Sequence, residues 1–316
     1  MLGLTKKFLI SASVVGMSAV VSAPAMAAGF TASGTAGVDY LLYKQQGANT
    51  VLDNTADLNT VLQGNSSAPG GNIELGILDN NFNNVTTLSG EVGGKTLTLS
   101  NLTAADWTNE LKTEWFDGLW GQVQEKKSSF VSTFSSLGGT KEDVYNVFTS
   151  IGGFERSSDP NISYINTNGS NIDIGLAGHY NLDDKYGDTI ENALVNGIIS
   201  GMSFYGTAAQ KAAQKTAAKN ALATQLNGVL DGIQASEVVK YEYGSDSGFL
   251  YSFFATDSGL TEIGDGLSHT GNYEVSIAGV ISPEEPERVP EPSTMLGLMA
   301  VGGLFAASKR NSQKKA

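Results

Sequence analysis

The sequence predicts an α+β body: an antiparallel sheet built from N- and C-terminal strands, with helices packed on it, flanked by a signal peptide and a C-terminal transmembrane helix. Three observations predict it. Short alternating runs broken by Gly and Asn occur before residue 101 and after residue 236; helical periodicity fills the middle; and each end carries a charged and an apolar stretch side by side. The 316 residues hold 41% apolar side chains with 13 Phe, 11 Tyr and 3 Trp, which suits a packed core of one large domain or two small ones.

At the front, Lys6 and Lys7 precede the apolar run Phe8 to Val21, and Ala25 and Ala27 stand in the A-x-A arrangement read by signal peptidase. Residues 1–27 are therefore expected to be a signal peptide, with the mature chain starting near Ala28. The stretches GFTASGTAGVDY, GNIELGILDN and GEVGGKTLTLSNLT then read as strands with tight turns; Leu97 and Leu99 alternate with Thr96 and Thr98.

The helical block starts with Thr103 and Asp106 as a capping pair, followed by Trp107, Leu111, Trp115 and Leu119 at four-residue spacing, widened by Phe116 and Trp120. All three tryptophans lie here, and this spacing favours core over an exposed sugar-stacking platform. Thr140 with Asp143 opens a second helix whose Val144, Val147, Phe148 and Ile151 share a face and which ends at Gly152-Gly153. Ile162 and Tyr164, then Ile172, Ile174 and Leu176, alternate around Asn168-Gly169 as a hairpin. From Gly187 to Gln234, Asp188 and Glu191 are expected to cap a long helix divided at Gly201 and Gly206, with AAQKAAQKTAAKNALATQL as a strong helix former. Lys211, Lys215 and Lys219 share one face of it, read as a solvated face in preference to a docking stripe for acidic polysaccharide. EVVKYEY, GFLYSFFAT and GNYEVSIAGVI return the chain to strand, closing a body over 28–281.

Residues 282–289 form an acidic Pro-rich spacer, extended because proline fixes φ and like charges repel. Residues 293–307 are apolar or small, about 22 Å of helix against a hydrocarbon core of roughly 30 Å. Lys309, Arg310, Lys314 and Lys315 follow, and positive charge stays on the cytoplasmic side, so the body is expected outside. Pro290, Glu291 and Pro292, this short apolar helix and the basic end together resemble the PEP-CTERM sorting signal, spanning 290–316. The resemblance implies an exosortase that recognises the Pro-Glu-Pro triplet, cuts near it and passes the protein to the cell surface or extracellular matrix, as in biofilm-forming bacteria. The stretch FERSSDPNISYINTNGSNIDIGLAGHYNLDD, with EVVKYEYG and DGLSHTGNYEVSIAG, resembles a body found in cyanobacterial PEP-CTERM proteins of unassigned activity.

The net charge of −13, near −18 without the terminal signals, disfavours nucleic acid as a partner. With no Cys, thiolate metal sites and cysteine nucleophiles are excluded. His179 and His269 are the only histidines, and no HExxH, GxSxG, Walker or dinucleotide motif accompanies them in a fitting context. DNNFNNVTTLSGE lacks the glycine and the acid spacing of an EF-hand, and the acids of NLDDKYGD suit a helix N-terminus as well as calcium. The expectation is a noncatalytic exported protein of the cell surface or matrix, without cofactor, metal or catalytic residue. Its expected partners are signal peptidase, exosortase, the membrane through a transient anchor, and extracellular polysaccharide. A secreted hydrolase and a calcium- or ligand-binding module are the alternatives.

Overall fold

Glycine-punctuated alternation at both ends of the body builds strands, and the strands from the two ends interleave. The computed structural model describes residues 7–10, 25–26, 29–76 and 83–279. Strands β1 (Lys7–Ile10), β2 (Ala25–Met26) and β3 (Thr31–Ala32) are followed by the hairpin β4 (Tyr40–Gln46) and β5 (Asn49–Leu52), a short helix α1 (Leu58–Val61) and β6 (Asn72–Leu75). A second hairpin, β7 (Thr87–Val92) and β8 (Lys95–Ser100), leads into helices α2 (Asn109–Lys126), α3 (Ser128–Ser136) and α4 (Lys141–Ser150) and a 3-10 turn, Glu155–Ser157. The expected hairpin forms as β9 (Asn161–Asn168) and β10 (Asn171–Gly178), with Asn168 opposite Asn171. Helices α5 (Asp183–Gly201) and α6 (Ala208–Leu226) precede β11 (Val239–Tyr243), β12 (Asp246–Tyr251), β13 (Thr256–Asp257), β14 (Thr261–Glu262) and β15 (Gly271–Ile277).

The α+β class stands, but the expected single sheet is two. One sheet has the order β1-β12-β11-β8-β7-β3; the other runs β13-β15-β10-β9-β6-β4-β5-β14, with β2 beside β9. Pairing is antiparallel except for β1 with β12 and β14 with β5. Register explains each sheet's inward face. Leu88, Leu99 and Tyr241 are cross-strand neighbours in the first sheet, and Ile73, Ile162 and Leu176 in the second; all are essentially unexposed.

The opposite face of the larger sheet is polar yet covered. Asn166 Nδ2 donates to Gly64 O and Asn272 Nδ2 to Ser66 O, so the loop after α1 lies across it. Tyr164 OH donates to Glu274 Oε2 at 3.0 Å on the same face.

The helices form a separate apolar cluster against the last residues of β12. Trp107, Trp115 and Trp120 are each at most 8% exposed, as core spacing predicts. Trp115 packs on Phe148 and Phe253, and Trp107 Nε1 donates to Ser158 Oγ at 2.7 Å. Two cap expectations are corrected. Thr103 and Asp106 close a turn on each other, and α2 starts later, with Thr108 accepting from Leu111 N. Likewise α5 begins at Asp183, ahead of Asp188 and Glu191, so those two acids lie within the helix; Glu191 Oε1 instead accepts from Gly228 N. The Thr140–Asp143 capping box opens α4 as expected, and the long helical region divides after Gly201, restarting with a Thr207–Gln210 box.

Candidate functional site

Where α2, α4 and α5 meet the ends of β10 and β11, a cleft opens. Its apolar wall is Trp115 and Leu119 of α2, Phe148 of α4, Ile151 at the C-terminal end of α4, and Ile190 of α5. Its polar end holds Arg156, Ser157, His179, Tyr186, Ser236 and Glu237. The cleft's free volume is about 60 Å³, so it is narrow.

Each polar group has a positional reason. His179 follows the last residue of β10; its Nδ1 lies 3.2 Å from Leu267 O, an atom that can only accept, so Nδ1 carries the proton and Nε2 is left as an acceptor. Burial lowers its pKa, and its ring meets Tyr186 edge-on at 5.6 Å. Ser157 and Ser236 donate to the carbonyls of Gly153 and Glu237, and neither hydroxyl bonds to His179 among the described residues. The second histidine, His269, sits apart from the cleft lining with Nδ1 2.7 Å from Thr50 Oγ1, and burial pushes its pKa down to about 4. The hydroxyl–imidazole–carboxylate relay of a serine hydrolase is thus formed at neither histidine among the described residues.

Three carboxyls crowd behind the polar end. Glu237 precedes β11, and its Oε2 accepts from Asn161 N at 3.1 Å and from Asn161 Nδ2. Asp159 precedes Pro160 and β9, and Glu74 lies opposite Asn161 on β6. Burial first, then mutual repulsion, raises Glu74 to about 8 and Glu237 well above the carboxylate range; burial raises Asp159 to about 7. Tyr43 OH reaches Glu74 Oε2 at 3.3 Å. Asp159 Oδ1 and Asn161 Oδ1 are buried without a hydrogen-bond partner, as is Trp115 Nε1 on the wall. Among the described residues no group of three or more His, Asp or Glu converges as a metal requires.

This cluster was missed in the sequence because its members are far apart and none sits in a motif; only Asp159-Pro160 and the acid opening EVVKYEY mark the places. Of the sequence-predicted site residues, Ala25 lies in β2, its backbone paired with Thr167. Ala27, Pro290, Glu291, Pro292, Lys309 and Arg310, with the spacer and the helix at 293–307, lie outside the described residues. Among the described residues no helix is long and apolar enough to cross a membrane.

Comparison with protein families decides the tail. Residues 288–311 carry the PEP-CTERM protein-sorting motif. The PEP-CTERM match contains all of Pro290, Glu291, Pro292, Lys309 and Arg310, and it is consistent with an exosortase substrate: an exported protein, transiently anchored through its C-terminal region. It covers 24 residues and leaves the body unassigned. No curated protein and no solved structure matches the chain.

Proposed function

We propose that this PEP-CTERM protein is a noncatalytic component of the cell surface or extracellular matrix whose body contacts polysaccharide. The sorting motif carries the reading, because it belongs to delivery outside the cell and sits behind an acidic body with no anchoring helix of its own among the described residues. The outer face of the smaller sheet supports the polysaccharide contact. There Ser89 Oγ meets Thr98 Oγ1 at 3.0 Å and Thr96 Oγ1 donates to Glu91 Oε1 at 2.6 Å, a ladder of hydroxyls and carboxylate suited to hydrogen-bonding sugar hydroxyls. Lys211, Lys215 and Lys219 are exposed on α6, a second cationic contact for acidic polymer in competition with simple solvation.

Replacing Pro290, Glu291 and Pro292 together by alanine tests delivery. Mass spectrometry is expected to find the tail removed from the wild-type protein and retained through Ala316 in the variant, which stays in the membrane fraction. A wild-type protein recovered intact from the cytosol overturns the reading. Binding to the producing cell's own polysaccharide is expected to survive His179→Ala; turnover of that polymer, lost in the same variant, would favour a hydrolase.

A further inference from the structure

We propose that the mature protein pairs with a second copy of itself through the edge of β12, which removal of the signal peptide lays bare. In the smaller sheet β12 has β11 on one side and β1 on the other, in parallel register from Lys7 opposite Gly248 to Ile10 opposite Tyr251. Lys7–Ile10 belongs to the segment expected to be cut off after residue 27, so export takes that strand away and leaves β12 outermost. β2 goes in the same cut but pairs with only two residues of β9.

The other three edges of the two sheets, among the described residues, are built not to pair. β3, β13 and β14 have two residues each, and β13 and β14 end on Asp257 and Glu262. Short length and charge are the usual guards of an exposed edge. β12 has neither: it runs for six residues, and no charged side chain stands between Asp246 and Asp257. It also holds no proline, and its register with β11 is unbroken by a bulge.

The backbone supplies the pairing groups. Tyr243 faces Asp246 across the two-residue turn Gly244-Ser245, with Gly244 at φ 60°, and bonding in an antiparallel ladder alternates from that pair onwards. Asp246, Gly248 and Leu250 therefore bond to β11, while Ser247, Phe249 and Tyr251 turn their N–H and C=O groups towards β1. Once β1 has gone, those groups need water or another strand.

A second copy is the partner that fits. The mature chain carries a net charge near −18, so two copies repel wherever their charged surfaces meet, and the uncharged stretch 247–256 is where they can approach. Two β12 edges related by a two-fold axis satisfy each other's outward groups with no third component. They join the remaining strands of each copy, β12-β11-β8-β7-β3, into one continuous sheet. Phe254, just beyond β12 and 59% exposed, offers the pair an apolar contact outside the ladder. The pairing rests on the loss of residues 1–27 and does not depend on the polysaccharide contact.

The exported protein, purified from outside the producing cells, tests this. Mass spectrometry is expected to show residues 1–27 gone, and sedimentation equilibrium a dimer that dissociates on dilution. Backbone hydrogen exchange over 246–252 is expected to be slower in the dimer than in the diluted monomer. Ser247→Pro removes an outward N–H without touching the β11 ladder, and Ser247→Lys sets like charges against each other. Each is expected to raise the dimer's Kd at least tenfold while the monomer keeps a cooperative melting transition. A monomer at every concentration, a dimer unchanged in both variants, or exchange over 246–252 indifferent to dilution overturns the proposal. So does a different exported protein seated on β12 in place of the second copy. Residues 1–27 still attached would overturn it at its premise, which the mass reveals before any association is measured.

Discussion

His269 is the one non-glycine residue with positive φ, 65°, among the described residues, and it keeps that conformation because its ring is buried against Tyr43 and bonded to Thr50. Burying it neutral has a pH consequence. Its pKa is about 4 when folded against 6.5 when exposed, so the unfolded chain takes up the proton first and stability falls as pH drops from about 6.5 towards 4. Glu74 acts in the opposite sense. With a folded pKa of about 8 against 4.5, the folded chain holds a proton the unfolded chain has lost, and this contribution is full below pH 4.5 and lost as pH rises through 8. Glu74→Gln removes the ionisation while leaving an oxygen for the Tyr43 hydroxyl. Urea denaturation is expected to show the variant more stable than the wild type at pH 8.5, by on the order of 2–4 kcal/mol, and nearly unchanged at pH 4.5. Equal effects at both pH values would mean that Glu74 is ionised in the fold. None of this was legible in the sequence: an acid in GNIELG looks like any strand-edge charge until β6 is placed beside β9.

At the scale of elements, legibility followed local chemistry. The Thr140–Asp143 box and the hairpin at Asn168-Gly169 are local patterns and appear where the residues put them. The hairpin β4–β5 escaped because the polar stretch from Lys44 to Asn49 hides its alternation, and its pairing with β6 and β14 comes from outside its own sequence. The start of α2 moved because Thr103 and Asp106 satisfy each other in a turn, leaving Thr108 as the cap. Helix α2 also contains Gly118, which helix propensity alone marks as a weakness of about 1 kcal/mol relative to Ala. Packing reverses the sign: a Cβ there would lie 2.1 Å from the Phe253 ring. Gly118→Ala is therefore expected to destabilise by about 1–3 kcal/mol, measured as a lowered thermal midpoint. A raised midpoint would mean that Phe253 moves aside freely. Gly175 in β10 is tied in the same way to Tyr164, whose ring lies across its backbone.

For the whole molecule, the α+β class was legible because composition and periodicity are summed over long stretches, whereas the division into two sheets depends on which distant strands pair. Each sheet joins early and late segments: the β7–β8 hairpin joins β11 through β8, while β15, the last element among the described residues, lies between β13 and β10. Deleting 271–279 should therefore do more than trim an end. It removes the strand paired with Ile172, Ile174 and Leu176, and circular dichroism is expected to show loss of cooperative unfolding for the whole body; retention of a wild-type melting transition would show that the larger sheet stands without it. The same interleaving governs timing. Neither sheet can be completed until the C-terminal strands have been made, so native pairing has a high sequence separation and waits for nearly the entire polypeptide. For an exported protein that delay has a use: a chain whose C-terminal strands are still being made offers no finished sheet to the machinery that carries it across a membrane.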